Sequence, residues 1–357
     1  MSQAKPLDGK RVLVTGGTGS LGQVLVRRLL GGEMGELARL LVLSRDEAKQ
    51  HFMRVEYENN VAATDEVIYR NFQRKLQFRV GDVRDLDTVV SAMRGIDVVI
   101  NAAALKQVPT CEYFPFEAVR TNVGGAENIV RAIEMHCLPV ATVVGVSTDK
   151  ACKPVNAMGM TKALQERVFI QGNMRCGGTR FVCVRYGNVL ASRGSVIPLF
   201  HAQIRAGGPV TITTVDMTRF LLSLDDAVDT VFAVLREGRP GETYIPRAPS
   251  CRMVDVATAL IGERPIRQVV TGIRPGEKIH EILISDEESH RTVDRGSYYA
   301  ILPLLPEVCG DHKSDGCLHG EYGSRDGVLD LPGVRRLLEQ RGLMVTDAPA
   351  PAGELLR

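Results

Sequence analysis

Apolar and polar positions follow two rhythms along this chain. Short continuous runs rich in β-branched residues cover 10–15, 39–43, 76–80, 96–100, 140–146 and 179–185, lengths that suit buried strands better than helices. Between them, apolar residues recur every third or fourth position, most clearly over 117–136 and 225–237, which predicts amphipathic helices. Further helices are expected directly after Gly22, up to about Gly95, from about Met158, and over 330–340. Alternating strands and helices predict a parallel sheet joined by crossover helices. The stretch 46–75 is longer than a usual crossover and mixes Phe52, Tyr57, Tyr69 and Phe72 with charges. It is read either as a helix pair that meets another subunit or as solvated helices over the sheet.

In an open parallel sheet, ligands bind outside the carboxyl ends of the strands, so the residues just after each run matter most. The strand at 140–146 is followed by Ser147-Thr148-Asp149-Lys150, and Pro154 and Asn156 then break the chain before the helix that carries Met158 and Lys162. An acid beside an amine at a strand end suits proton transfer. The first strand runs into Gly16-Gly17-Thr18-Gly19-Ser20-Leu21-Gly22. Gly16, Gly19 and Gly22 form G-x-x-G-x-x-G between a strand and a helix, a variant of the dinucleotide fingerprint that brings a pyrophosphate close to backbone at a helix N-terminus.

After the second strand come Ser44, Arg45 and Asp46, with Lys49 one turn on, where an NAD-specific pocket would place an acid against the ribose. Cations there predict the 2′-phosphate of NADP. Asp82 follows the third strand, placed to accept from the adenine amine, and Ala102, Ala103 and Ala104 follow the fourth, where small side chains let ribose and nicotinamide lie against backbone. Lys106 reaches either cofactor or sugar, or is a solvated loop lysine; Asn122 ties neighbouring backbone or touches a ligand.

Composition narrows the partners. The 357 residues suffice for two lobes, and a formal net charge of +2 without a long basic block points away from nucleic acid and anionic membranes. No apolar run approaches bilayer length and the N-terminus lacks a signal core, so a cytoplasmic protein is expected. The eight cysteines, such as Cys183 within an apolar run, read as reduced buried hydrophobes. Cys309, His312, Cys317 and His319 fall close together in a polar loop but match no zinc spacing, so no metal is assigned. The end of the chain, 348–357, reads as a disordered tail.

Thr-Gly-Gly-Thr-Gly-Ser-Leu-Gly, Ser-Arg-Asp-Glu, Gly-Asp-Val-Arg-Asp, Asn-Ala-Ala-Ala-Leu-Lys, Ser-Thr-Asp-Lys-Ala and Arg-Tyr-Gly-Asn-Val, in this order from about Lys10 to about Ser285, resemble the extended short-chain dehydrogenase/reductases. Within these, the chain is similar to the UDP-N-acetylglucosamine 4,6-dehydratases of bacterial surface-sugar pathways. The resemblance implies an α/β fold: a Rossmann-type doubly wound parallel sheet over 1–190, joined again by about 214–245, a smaller α/β substrate lobe over 191–290, and an unassigned extension over 291–357. It implies NADP held by Gly16, Thr18, Gly19, Ser20, Leu21, Gly22, Ser44, Arg45, Lys49, Asp82, Val83, Ala102, Ala103, Ala104, Lys106, Asn122, Ser147, Lys162 and Tyr186. UDP-N-acetylglucosamine would meet Lys106, Asn188, Val196, Arg219, Arg274 and Glu277, with the 207–213 run bracketing the uracil, and a homo-oligomer is expected.

The superfamily pattern Tyr-x-x-x-Lys is broken, because Met158 stands where the tyrosine would be and Lys162 keeps the lysine position. A thioether has no proton to exchange. The implied reaction is oxidation at C4 by NADP+, loss of the C5 proton to Lys150, departure of the C6 hydroxyl as water with help from Asp149, and return of hydride to C6. Thr148 would bind O4, Lys162 the nicotinamide ribose, and Asp149 or a relay through Lys162 would take the 4-hydroxyl proton. A 4-epimerase, a ketoreductase of the same superfamily and a non-catalytic NADP-binding regulator are the alternatives.

Overall fold

A computed structural model describes residues 5–59, 72–190, 195–310 and 318–345. Tyr69, His312, Cys317 and the 348–357 tail lie outside them. The chain divides into two compact units: the first runs up to Gly187 and takes in Leu224–Arg247 and Ile282–Tyr322, and the second comprises Asn188–Ser223, Ala248–Glu281 and the chain from Gly323.

The first unit is built on a nine-stranded sheet. Strands β1 (Arg11–Thr15), β2 (Arg39–Ser44), β3 (Leu76–Val80), β4 (Val98–Asn101), β5 (Thr142–Val146) and β6 (Arg180–Val184) are parallel neighbours in the spatial order β6-β5-β4-β1-β2-β3. This is the Rossmann-type order, with its topological switch between β1 and β4. β4 and β5 are buried throughout because helices cover both faces, which explains their unbroken apolar runs. Helices Leu86–Met93 and Gly125–His136 pack Val89, Met93, Ile129 and Ile133 onto Leu13, Val99 and Val143. The helix expected over 117–136 is divided: Pro115–Ala118 leads into a π-helical turn, Val119–Gly124, before Gly125–His136.

Beyond β6 the sheet gains Thr243–Pro246, parallel to it, and then the antiparallel hairpin Tyr298–Ile301 with Thr292–Arg295 at the edge. That hairpin lies in the 291–357 extension, which the sequence leaves unassigned. Its edge strand, Thr-Val-Asp-Arg, carries charges that suit an edge and weaken the apolar signal of a strand.

The second unit has its own core. Helices Val196–Arg205, Met253–Ile261 and Leu331–Gln340 pack Phe200, Ile204, Val256, Leu260, Val334 and Leu338 together with Val210 and Ile212 of a short strand. The last helix begins where the sequence placed it, because Asp330 caps it by accepting from the Gly333 amide at 2.9 Å.

Candidate active site

The glycine turn after β1 is shaped by close approach. Gly16 has φ +68°, and a Cβ there would lie 2.7 Å from the Ala103 nitrogen; one at Gly22 would lie 2.5 Å from Gly17 Cα. Thr15 ties the turn to the loop after β4, donating to Asn101 Oδ1 at 2.6 Å and accepting the Ala103 amide at 3.3 Å. Glycine therefore lets helix Ser20–Leu30 start directly over backbone, and its cap residue Gly19 offers no side chain to the first amides. An uncapped helix N-terminus over a backbone cradle fits a dinucleotide pyrophosphate. Ser20 and Leu21 are half-buried in that first turn.

Thr18 and Ser44 join the glycine turn to the end of β2 through hydroxyls 2.8 Å apart. The two cations assigned to a 2′-phosphate each face an acid: Arg45 lies 3.7 Å from Asp82, and Lys49 pairs with Asp46 at 2.6 Å. Asp82 also holds Arg84 at 2.7 Å, and hydrogen bonding from Arg84 keeps its carboxyl below the usual range against the opposing effect of burial. Val83 is buried and its carbonyl accepts from Asn128 at 2.9 Å. Ala102 and Ala103 are half-buried, while Ala104 and Lys106 are exposed on the loop. Asn122 is completely buried and committed: its amide group donates to the Leu105 carbonyl at 3.0 Å and Thr161 Oγ1 at 2.9 Å, and its oxygen accepts the Leu105 amide at 2.8 Å. With both donors spent on the protein, Asn122 knits the loop to the helix, the first of the two readings its sequence position allowed.

At the end of β5, Thr148 starts a single 3₁₀ turn, Asp149–Ala151. Asp149 has 1% of its surface exposed, and its Oδ1 accepts from Thr148 Oγ1 at 2.9 Å and from Lys150 Nζ at 3.0 Å. The Asp149 amide donates to the Tyr186 carbonyl at 3.0 Å, so the turn is pinned to the end of β6. Lys150 is the more open partner, with 23% of its side chain exposed. Helix Ala157–Arg175 approaches so closely that a Cβ at Gly159 would fall 2.2 Å from the Lys150 carbonyl oxygen. Gly159, overlooked in the sequence, is therefore what allows this turn; its only signal was a glycine in a helix.

Met158 is buried with Cys111 and Ala118, against Leu105 and Val108, in an apolar cluster. Lys162 is also buried, and its Nζ donates to the Val146 carbonyl and to Gln165 Oε1, each at 2.5 Å. Burial pulls the Lys162 ammonium down to about 8. The same cause pushes the buried Tyr186 phenol well above its ordinary value, so it stays protonated.

In the second unit, Arg219 is buried, and its guanidinium donates to the carbonyls of Thr218 at 2.7 Å, Ile279 at 3.0 Å and Lys278 at 2.9 Å, with Glu281 3.8 Å away. Its fork holds the 278–281 backbone, a contact that the sequence did not reveal. Arg274 is exposed, and Val196 begins helix Val196–Arg205. Among the described residues of the second unit, the buried side-chain oxygens without a hydrogen-bond partner include Asn188 Oδ1, Ser195 Oγ, Thr214 Oγ1 and Glu277 Oε2. Buried polar atoms are normally satisfied, so these suit a polar ligand. Ser195 and Thr214 were absent from the sequence-based set, although they adjoin its Val196 and its 207–213 run.

Residues 12–303 match the family described as polysaccharide biosynthesis protein. The chain belongs to this family. It is 43% identical over 298 residues, covering 82% of each chain, to a Rickettsia prowazekii (strain Madrid E) protein named UDP-glucose 4-epimerase, and 44% identical over 299 residues to the protein of that name from Rickettsia akari (strain Hartford). The X-ray structure of Pen from Bacillus thuringiensis superposes with a TM-score of 0.83 at 31% identity, over 95% of this chain and 99% of that one. DesIV from Streptomyces venezuelae, a dTDP-glucose 4,6-dehydratase, shares the fold at a TM-score of 0.63 and 21% identity, over 94% of this chain and 98% of that one.

Among the described residues of this family member, no group of His, Cys, Asp and Glu could hold a metal ion, and no helix is long and apolar enough to cross a membrane.

Proposed function

We propose that this family member is an NADP-dependent UDP-N-acetylglucosamine 4,6-dehydratase, converting its substrate to the 4-keto-6-deoxy sugar nucleotide for surface glycan synthesis. The observation that carries the reading is the Asp149–Lys150 contact of 3.0 Å at the end of β5, where an acid and an amine can exchange one proton. Elimination of water needs both a base for C5 and an acid for the C6 hydroxyl. Neither 4-epimerisation nor ketone reduction needs that second pair of transfers.

A bound nicotinamide supplies oxidation at C4 and reduction at C6, with no net consumption. Gly16, Thr18, Gly19 and Gly22 would hold its pyrophosphate, Ser44, Arg45 and Lys49 the adenosine ribose and its phosphate, and Lys162 the nicotinamide ribose. Oxidation at C4 releases the 4-hydroxyl proton, which Asp149 takes while Thr148 holds O4. The ketone acidifies C5, and Lys150, as the neutral amine, removes that proton. Asp149 gives its proton to the C6 hydroxyl, the C6–O bond breaks and water leaves. The pair is then Lys-ammonium and Asp-carboxylate. Lys150 returns its proton to C5 when C6 is reduced, and the pair ends as it began. Met158 takes no part, since its thioether carries no proton.

Asn188, Ser195, Thr214 and Glu277 would bind the sugar nucleotide, with Glu277 accepting from a ribose hydroxyl. Exposed Tyr113, Phe114 and Phe116 support a homo-oligomer. A second reading, UDP-sugar 4-epimerase, is favoured by the name that the Rickettsia relatives carry.

Substrate deuterated at C4 decides between them. The dehydratase gives a product with deuterium in its new methyl group, and in heavy water it gains deuterium at C5; a 4-epimer with its C6 hydroxyl intact defeats the proposal. The same assay run with NAD and NADP tests cofactor choice, and equal affinity for the two removes the role given to Arg45 and Lys49.

A further inference from the structure

The turn that carries Asp149 and Lys150 is flanked by two residues anchored to one buried guanidinium. On the upstream side, Ser147 Oγ donates to Glu166 Oε1 at 2.5 Å. Glu166 in turn receives Arg185 Nε at 3.0 Å and a terminal nitrogen at 2.6 Å. On the downstream side, Cys152 Sγ lies 3.6 Å from Glu288 Oε2, and Glu288 receives both terminal nitrogens of Arg185 at 2.7 and 2.9 Å. Arg185 also donates to the Leu283 carbonyl at 2.8 Å. All three charged groups are buried.

Glu288 belongs to helix Asp286–Ser289, inside the Ile282–Tyr322 segment that returns to the first unit late in the chain. Its carboxylate is fixed by a capping box: Oε2 accepts the Ser285 amide at 3.2 Å while Ser285 Oγ accepts the Glu288 amide at 3.3 Å. A second grip comes from the same segment. Lys153, held at φ +43°, pairs with Asp286 at 3.3 Å and with Glu321. A non-glycine residue in the left-handed region is a conformation that its surroundings must enforce. Here the enforcing contacts come two and three residues after the Asp149–Lys150 pair.

We infer that Glu288 is a positioning residue for the Asp149–Lys150 pair, so that the short capped helix at 285–289 is part of the catalytic apparatus. It holds the downstream end of the turn through Cys152 and shares Arg185 with Glu166, which holds the upstream end. Aligned reacting groups are worth large rate factors, and a displacement of about 1 Å costs on the order of a hundredfold. The inference rests on the Asp149–Lys150 pair being the acid and base of the reaction.

Glu288→Gln tests it. The variant conserves shape and leaves Arg185 with one carboxylate, Glu166, while Arg291 loses the carboxylate charge that lies 3.9 Å from it. Expected are a kcat lowered about tenfold or more with KM changed by less than about twofold, and faster amide hydrogen exchange in the 147–153 peptide than in the rest of the first unit. Lys153→Asn, which tolerates the left-handed conformation and loosens the same turn from the opposite side, should lower kcat in the same direction. If Glu288→Gln lowers only the thermal midpoint while kcat per folded molecule is unchanged, Glu288 is merely structural and the inference is overturned. Should Glu288→Gln fail to fold, an unchanged kcat in Lys153→Asn overturns it as well. Lys150→Ala, assayed alongside, separates the two levels: a wild-type rate there overturns the acid–base reading and this inference with it, whereas an inactive Lys150→Ala beside a fully active Glu288→Gln overturns the inference alone.

Discussion

The polar groups proposed to act in the two units differ in state, although buried oxygens without a hydrogen bond also occur in the first unit, at Thr121 and Tyr244. In the first, the turn after β5 has its side chains engaged with protein: Thr148 and Lys150 on Asp149, Ser147 on Glu166, and Lys162 on Val146 and Gln165. In the second, Asn188, Ser195, Thr214 and Glu277 each keep a buried oxygen without a hydrogen bond. A site that performs proton transfer gains from groups already aligned, since reorganisation then costs nothing at the moment of reaction. A site that recognises a polar ligand gains from groups that only the ligand satisfies, because an analogue lacking the matching hydroxyl leaves them stranded. The contrast supports the proposed division, with chemistry in the first unit and recognition in the second.

The largest effect should come from the engaged side. Lys150→Ala is expected to lower kcat by roughly 10²–10⁴ with cofactor binding retained, and if C4 oxidation persists, reduced cofactor should build up on the protein, visible at the nicotinamide absorbance. A kcat near wild type would erase the distinction between the units. On the other side, Glu277→Gln should chiefly raise KM, by about tenfold for loss of one hydrogen bond from a charged acceptor. A fall in kcat at constant KM would place Glu277 with the chemistry instead.

A smaller, graded effect concerns Lys162. Its folded value of about 8 lies below the ordinary lysine value of 10.5 because burial disfavours the ammonium. Between those values the unfolded chain binds more protons than the folded one, so stability contributed by this group rises as pH goes from about 8 to 10.5 and is lost as pH falls back through 8. Thermal midpoints measured across that window should rise more steeply for wild type than for Lys162→Met. Parallel curves would mean that Lys162 keeps its charge. The smallest effect is expected at Met158, where Met158→Leu conserves volume in an apolar cluster and should leave most activity. Complete loss of turnover with a normal fold would show that the thioether does more than fill space.

The positions of β1 to β6 along the chain, the glycine turn and the acid–amine neighbours after β5 were all legible in the residues, because buried parallel strands announce themselves as apolar runs and adjacent residues at a strand end stay adjacent in space. The last helix was legible for a similar local reason, an Asp cap before an amphipathic repeat. The contacts of Arg219 and Asn122 were not. An arginine in a loop looks the same whether its fork meets a diphosphate or three carbonyls of a neighbouring segment, and a buried asparagine looks the same whether it binds cofactor or spans Leu105 and Thr161.

The hairpin at 292–301 was hidden by its charged edge strand, and the grip of Glu288 and Lys153 on the turn by distance along the chain. Glu288 stands 136 residues from Cys152 and 103 from Arg185. The sequence by itself determined the kinds of chemistry available and the strand ends that present them, since both follow from local pattern. Tertiary structure alone decided which donors were already spent, because a hydrogen bond is owned by whichever partner folding brings within about 3 Å.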